Sequence, residues 1–307
     1  MRMKDTQESE PQVYLKLNRV GVKGVKKTII RKKDGRYNVL LATIDVFIDL
    51  PSHKKGIHMS RNLEVTNEII ERAVGPEVED IELLCIEIAK NCLRKQDATR
   101  AEVEIHADYS LPRLTPFSKT PTQEKYELLS KAVAWREEDK VRVRRSIGAV
   151  AEGLTVCPCS IESVQHYVAE NFEIEKSIVA RLPLASHNQR GKGTLIVETD
   201  EEERVEANDL VEIIEESMSS PLYEVLKRND ELKVVVDAHK KPRFVEDVLR
   251  MMIKGLTTRY PNLSSGAYVI ARQENYESIH RHNTYAEKTG FYGEIKKELD
   301  GKRRGVE

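Results

Sequence analysis

Four cysteines in 307 residues are too few for a disulfide framework. Their scarcity fits a chain kept in a reducing, cytoplasmic compartment. Long apolar runs are also missing. Nowhere do about 18 consecutive apolar residues occur, so no segment reads as a membrane span. Met1 to Pro11 is polar and charged, without the apolar stretch that a secretory signal needs. No excess of one charge sign is present: 50 Lys and Arg stand against 51 Asp and Glu, a formal net charge of −1. The balance gives no basic field for nucleic acid or an anionic membrane. There is no Walker A loop and no Gly-x-Gly-x-x-Gly, which sets aside the standard nucleotide-binding loops.

The chain has the composition of a soluble globular protein, with 39% hydrophobic and 33% charged residues. Its length allows one large domain or two ordinary ones. Cys85 and Cys92 lie in an apolar helical pattern, as buried free thiols do. The other two cysteines form Cys157-Pro158-Cys159-Ser160. That spacing is too tight for a zinc knuckle and is not the Cys-x-x-Cys of redox proteins. Thiolate and imidazole are strong ligands for a borderline-soft divalent metal, and His187-Asn188-Gln189-Arg190 follows in the same half. Two readings stand: an open metal site using one thiolate, or small residues ending a strand beside a surface histidine.

Three other segments carry possible chemistry. Glu215-Glu216 precedes Ser219-Ser220-Pro221, which reads as a helix N-cap with proline at the first helical position. That would hold Glu216 near a helix N-terminus, although helical carboxylates are ordinarily solvated. His280 and His282 alternate in an extended reading of Glu277 to His282 and would point to one side, as ligand or proton donor. A polar C-terminal loop is the plain alternative. Gly56 to Arg61 is a Gly-led turn presenting His58, Ser60 and Arg61, suited to phosphate oxygens.

Periodicity predicts strands over Tyr37–Leu50, Arg100–Tyr109, Gly193–Thr199, Lys233–Ala238 and Gly266–Arg272, with Tyr126–Thr155 mostly extended. It predicts helices over Leu63–Val74, Val78–Lys95, Ala207–Ser217, Pro221–Arg228 and Phe244–Arg259, with a loop over Pro112–Thr122. Met1–Pro11 reads as a loosely attached tail. Residues 12–137 and 138–307 each read as strands, two helices, then more strands, an α+β plan with antiparallel pairing.

Together these segments resemble the type IB GTP cyclohydrolases, and among them the archaeal members. The matching stretches are Leu17 to Val22, Gly56 to Arg61, Lys119 to Lys125, Cys157 to Ser160, His187 to Gly191, Ser219 to Tyr223, Lys227 to Glu231, Phe244 to Asp247 and Glu277 to His282. The long segment Ile161 to Ser186 departs from bacterial members and favours the archaeal type. The resemblance implies the tunnelling fold (T-fold): two modules of antiparallel sheet backed by paired helices, closing into barrels in a homo-oligomer, a tetramer, with active sites between subunits. It implies a metal, Fe(II) first with Zn or Mn as alternatives, held by Cys157, His187 and Glu216, with Cys159 the alternative thiolate. His280 and His282 would bind metal or transfer protons. Glu231 would receive the guanine N1–H and amino group. His58, Ser60, Arg61 and Arg190 would receive the triphosphate. GTP would be opened at C8 with loss of formate, giving 7,8-dihydroneopterin 2′,3′-cyclic phosphate for methanopterin synthesis. The bacterial product, dihydroneopterin triphosphate, is the alternative. A deazaguanine nitrile reductase on the same fold is the rival enzyme, and a purine-binding protein without chemistry is the non-catalytic rival.

Overall fold

The computed structural model describes residues 7–33, 36–74, 80–96 and 98–301. The first six residues of the expected tail, and the expected helix start at Val78, lie outside them. Gln7 and Ser9 accept backbone hydrogen bonds from Gly56 and Lys55, at 3.2 and 3.0 Å.

The chain begins with the hairpin β1 (Leu17–Lys33) and β2 (Arg36–Leu50), then helices α1 (Met59–Val74) and α2 (Ile81–Gln96). Long strands β3 (Arg100–Leu114), β4 (Pro121–Glu137) and β5 (Lys140–Val156) follow. Next come α3 (Pro158–Asn171), the single turn α4 (Lys176–Val179), β6 (Asn188–Asp200), α5 (Ala207–Ser217) and the two-residue β7 (Ser220–Pro221). The chain closes with α6 (Arg228–Lys240), α7 (Val245–Arg259), β8 (Tyr268–Asn275), β9 (Thr284–Phe291) and α8 (Tyr292–Gly301).

Among the described residues the strands form one antiparallel sheet of nine, ordered β1-β2-β3-β4-β5-β6-β8-β9, with β7 paired to β5. This corrects the α+β T-fold expectation of two separate sheet modules, each backed by its own helix pair. The reason lies in one turn. Only residues 138 and 139 join β4 to β5, and Glu138 takes a left-handed φ of 54° to make the reversal. So short a connection forces β5 to pair beside β4 in the same sheet instead of starting a second one.

The chain divides into two compact units that interleave along the sequence. The first comprises Met1–Tyr109, Glu127–Ile147 and Glu198–Arg204. Its core pairs Ile44 with Ile105 and Val46 with Val103 across β2 and β3, all fully buried. Helix α2 buries Ile81, Leu84, Cys85, Ile88, Ala89 and Cys92 at helical spacing, so its apolar stripe makes the helix. Burial pushes the Cys85 and Cys92 thiols up to about 12, as expected for structural cysteines.

The second unit comprises Ser110–Tyr126, Gly148–Val197 and Val205–Glu307. Helix α7 buries Val245, Val248, Leu249, Met252, Ile253 and Leu256 on one face. The expected strand Lys233–Ala238 is instead the body of α6. Its Val234-Val235-Val236 run favours a strand locally, but Val234 and Ala238 are buried one turn apart while Val235 faces solvent. The first turn is fixed by Asp230, whose carboxylate accepts the Lys227 N–H at 3.2 Å. The expected helix Pro221–Arg228 is also absent. Ser220 and Pro221 pair with Leu154 and Gly153 of β5, so the proline marks a short strand and not a helix start.

Candidate active site

Cys157 sits where β5 ends and α3 begins. It is the N-cap residue of α3, and Pro158 takes the first helical position, where a missing N–H costs nothing. Val156 and Ile161 bury on either side of it against Ala238, which fixes the junction. The Cys157 N–H donates to the His187 carbonyl at 3.2 Å, and Ser186 Oγ donates to the Cys157 carbonyl at 2.8 Å. His187 immediately precedes β6, so strand and helix ends bring the two side chains together.

Both line a cavity of about 330 Å3. Its walls also include Gln189 of β6, Asn275 at the end of β8, Glu277 in the loop just after it, Thr284 of β9 and Arg243 before α7. His187 Nδ1 lies 3.1 Å from Gln189 Oε1 and 3.8 Å from Glu277 Oε2. Glu277 Oε1 accepts from Thr284 Oγ1 at 2.9 Å, whereas its buried Oε2 has no hydrogen-bond partner. Gly191 clears the cavity wall: a Cβ there would meet Asn275 Oδ1 at 2.8 Å and also strike the buried Gln273 amide.

The histidine pair is brought to this place. The His280 ring stands edge-on to His187 with centroids 6.1 Å apart, and His282 stacks on His280 at 5.3 Å. The expected extended segment is a bent loop between β8 and β9, and it still sets the rings side by side. Cys157 and Cys159 are separated clearly. Cys159 is exposed on α3 and is not part of the cavity wall.

The remaining candidates lie elsewhere. Glu216 is exposed in the last turn of α5, the C-terminal end of a helix, contrary to the expected position near an N-terminus. Its carbonyl accepts from Lys241 Nζ at 2.6 Å and from Arg243 at 3.2 Å, cations suited to the negative end of a helix. Glu231 is exposed in the first turn of α6. Arg190 is exposed on β6, 3.9 Å from the Glu152 carboxylate. His58, half-buried, leads into α1 of the first unit, with Ser60 and Arg61 exposed in that helix's first turn.

Sequence reasoning assigned no role to Glu277, Gln189 or Arg243. The first two stand inside the runs Glu277–His282 and His187–Arg190, so alternation with the histidines was the available signal. Two buried carboxylates were also missed. Asp230 accepts the N–H groups of Phe117 and Ser118 at 2.9 and 2.8 Å and the Ser118 hydroxyl at 2.6 Å. Burial alone would raise its pKa, but these bonds outweigh it and hold the carboxyl well below the usual range. Glu215 accepts from the Tyr126 hydroxyl at 2.6 Å and from Arg113 at 3.1 Å, yet burial keeps its pKa above the ordinary value.

A resident metal is implied by the family resemblance, and the cavity's donor chemistry suits one. A thiol and an imidazole share its wall, and a buried carboxylate oxygen there has no donor. Among the described residues, no three His, Cys, Asp or Glu side chains are grouped as a complete ligand set.

A family model described as type I GTP cyclohydrolase folE2 matches residues 3–286. The chain therefore belongs to the type I GTP cyclohydrolase family, enzymes that act on GTP. Within it, the chain is 43% identical over 303 residues to the GTP cyclohydrolase MptA of Methanobrevibacter smithii, covering 96% of this chain and 97% of the relative. The protein of that name from Methanosphaera stadtmanae is 42% identical over 303 residues, at the same coverages. That from Methanothermobacter thermautotrophicus is 41% identical over 304 residues, covering 96% of each chain. Among solved structures, a uricase from Arthrobacter globiformis aligns at a TM-score of 0.47 and 9% identity, covering 89% of this chain and 93% of that one. No helix among the described residues is long and apolar enough to cross a membrane.

Proposed function

We propose that this GTP cyclohydrolase opens the guanine imidazole ring of GTP at C8 and yields 7,8-dihydroneopterin 2′,3′-cyclic phosphate, the entry compound of methanopterin synthesis. Similarity to the archaeal MptA proteins along the whole chain supports that product over the triphosphate. The observation that carries the site is the Cys157 thiol and the His187 imidazole on one cavity wall, with His280 beside His187.

Cys157, His187 and Glu216 are the residues proposed to hold a divalent metal, Fe(II) first, with Zn or Mn as alternatives. When bound there, such a metal supplies Lewis acidity to water. The reaction hydrolyses both C–N bonds to C8, so C8 leaves as formate and the ribose carbons close the dihydropterin ring; a side-chain hydroxyl of the pterin then displaces pyrophosphate from the α-phosphorus to form the cyclic phosphate. His280 and His282 are proposed to bind the metal or to transfer protons to the ring nitrogens and the sugar oxygens. Glu231 is proposed to accept the guanine N1–H and amino group. A carboxylate pairs with two adjacent donors. His58, Ser60, Arg61 and Arg190 are proposed to take the phosphates. Glu231, Ser60 and Arg61 are exposed, which supports sites completed between copies in a homo-oligomer, a tetramer. A cytoplasmic location is supported by four free thiols.

Cys157→Ala should abolish formate release from GTP, a loss of at least about 100-fold, with the oligomer unchanged by size-exclusion chromatography. Cys159→Ala should keep most of the activity. The reverse pattern would move the thiolate to Cys159.

A further inference from the structure

We propose that Glu277 is a positioning residue for His187, holding the imidazole as its Nδ1–H tautomer and leaving Nε2 bare. The geometry stands on its own; its consequence for metal binding rests on the reading above.

Two acceptors face the same ring nitrogen. Gln189 Oε1 is at hydrogen-bond distance, 3.1 Å, and Glu277 Oε2 lies within ion-pair reach at 3.8 Å. The His187 and Glu277 side chains are only 12% and 7% exposed. With the proton on Nε2, the Nδ1 lone pair would face an amide oxygen and a carboxylate oxygen at once, which is repulsive at this burial. With the proton on Nδ1, the ring donates to Gln189 Oε1 at 3.1 Å and turns its positive N–H edge toward the Glu277 Oε2, 3.8 Å away, a buried oxygen with no hydrogen-bond partner. The other end of the carboxylate is tied to Thr284 of β9 at 2.9 Å, so the carboxylate cannot swing away freely. Glu277 follows the last residue of β8 by two positions, in the loop that leads to β9, and Arg243 lines the same cavity. A carboxylate behind a histidine fixes ring orientation and makes the opposite nitrogen a better electron-pair donor. This role separates Glu277 from its neighbours His280 and His282, which are exposed and stack on one another.

The test uses full-length metal-free protein labelled with 15N at histidine. Long-range proton–nitrogen spectra report the tautomer of each ring, with His187 identified by the signal lost in His187→Gln. The wild type should show His187 protonated at Nδ1. Glu277→Ala should shift it toward a mixture, and Zn(II) affinity from chelator competition should fall about 10–100-fold. Glu277→Gln, which retains an acceptor oxygen and the shape, should restore part of both, and it serves if the alanine variant fails to fold. An Nε2–H tautomer in the wild type would overturn the proposal. So would an alanine variant with wild-type tautomer and affinity. If the wild type binds neither Zn(II) nor Fe(II), the metal reading fails while the metal-free spectrum still decides the role of Glu277.

Discussion

Cys157 and Cys159 are separated by one proline but face different surroundings. The first lines a cavity with His187; the second is exposed on α3. The sequence could place both in the site but could not rank them, because a Cys-x-Cys run looks the same until the strand–helix junction between Val156 and Pro158 is built. Burial is also invisible in a run such as Glu215-Glu216, where only the first is buried. At this scale the structure makes an acid-stability prediction. Glu102 is nearly fully buried on β3; burial would raise it, but Lys131 and Arg100 outweigh that and hold it at about 2. A carboxyl lowered on folding stabilises the native state above its unfolded value, 4.5, and loses that contribution as pH falls toward 2. The urea midpoint should therefore drop between about pH 5 and about pH 3, and Glu102→Gln should drop less over that window. An equal drop in the variant would place the acid sensitivity elsewhere.

Elements were legible where one rule dominated. The stripe of α7 and the alternation of β2 and β3 appear in the sequence as they do in the fold. Strand β1 was not read because register shifts between Leu17 and Val20 and between Val22 and Val25 break its alternation. Helix α6 was misread because three successive valines outweighed the first-turn bonds of Asp230, which depend on a distant loop at Phe117 and Ser118. Strand β6 carries the element-scale prediction. Gly191→Ala would drive a methyl group against Gln273 and Asn275, both buried, and Asn275 belongs to the cavity wall. Overpacking of that kind costs about 1–3 kcal/mol. A lower denaturation midpoint together with weaker Zn(II) binding is expected; a variant matching wild type in both would mean that the wall can yield.

For the whole molecule, the family was legible in the sequence because its motifs recur in order from Leu17 to His282, and the family match over residues 3–286 agrees. The sheet arrangement was not, because the two-residue turn at 138–139 decides it and a turn reads as a boundary as readily as a hairpin. The central claim is metal-dependent opening of GTP at the cavity of Cys157 and His187. It is tested most directly by incubating the purified protein anaerobically with GTP and Fe(II), with formate quantified and the pterin identified by mass. The account predicts one formate per pterin, a product mass of dihydroneopterin cyclic phosphate, loss of both after thorough chelation and recovery when metal is returned. Undiminished turnover after chelation, or no formate with Fe(II), Zn or Mn, would contradict it.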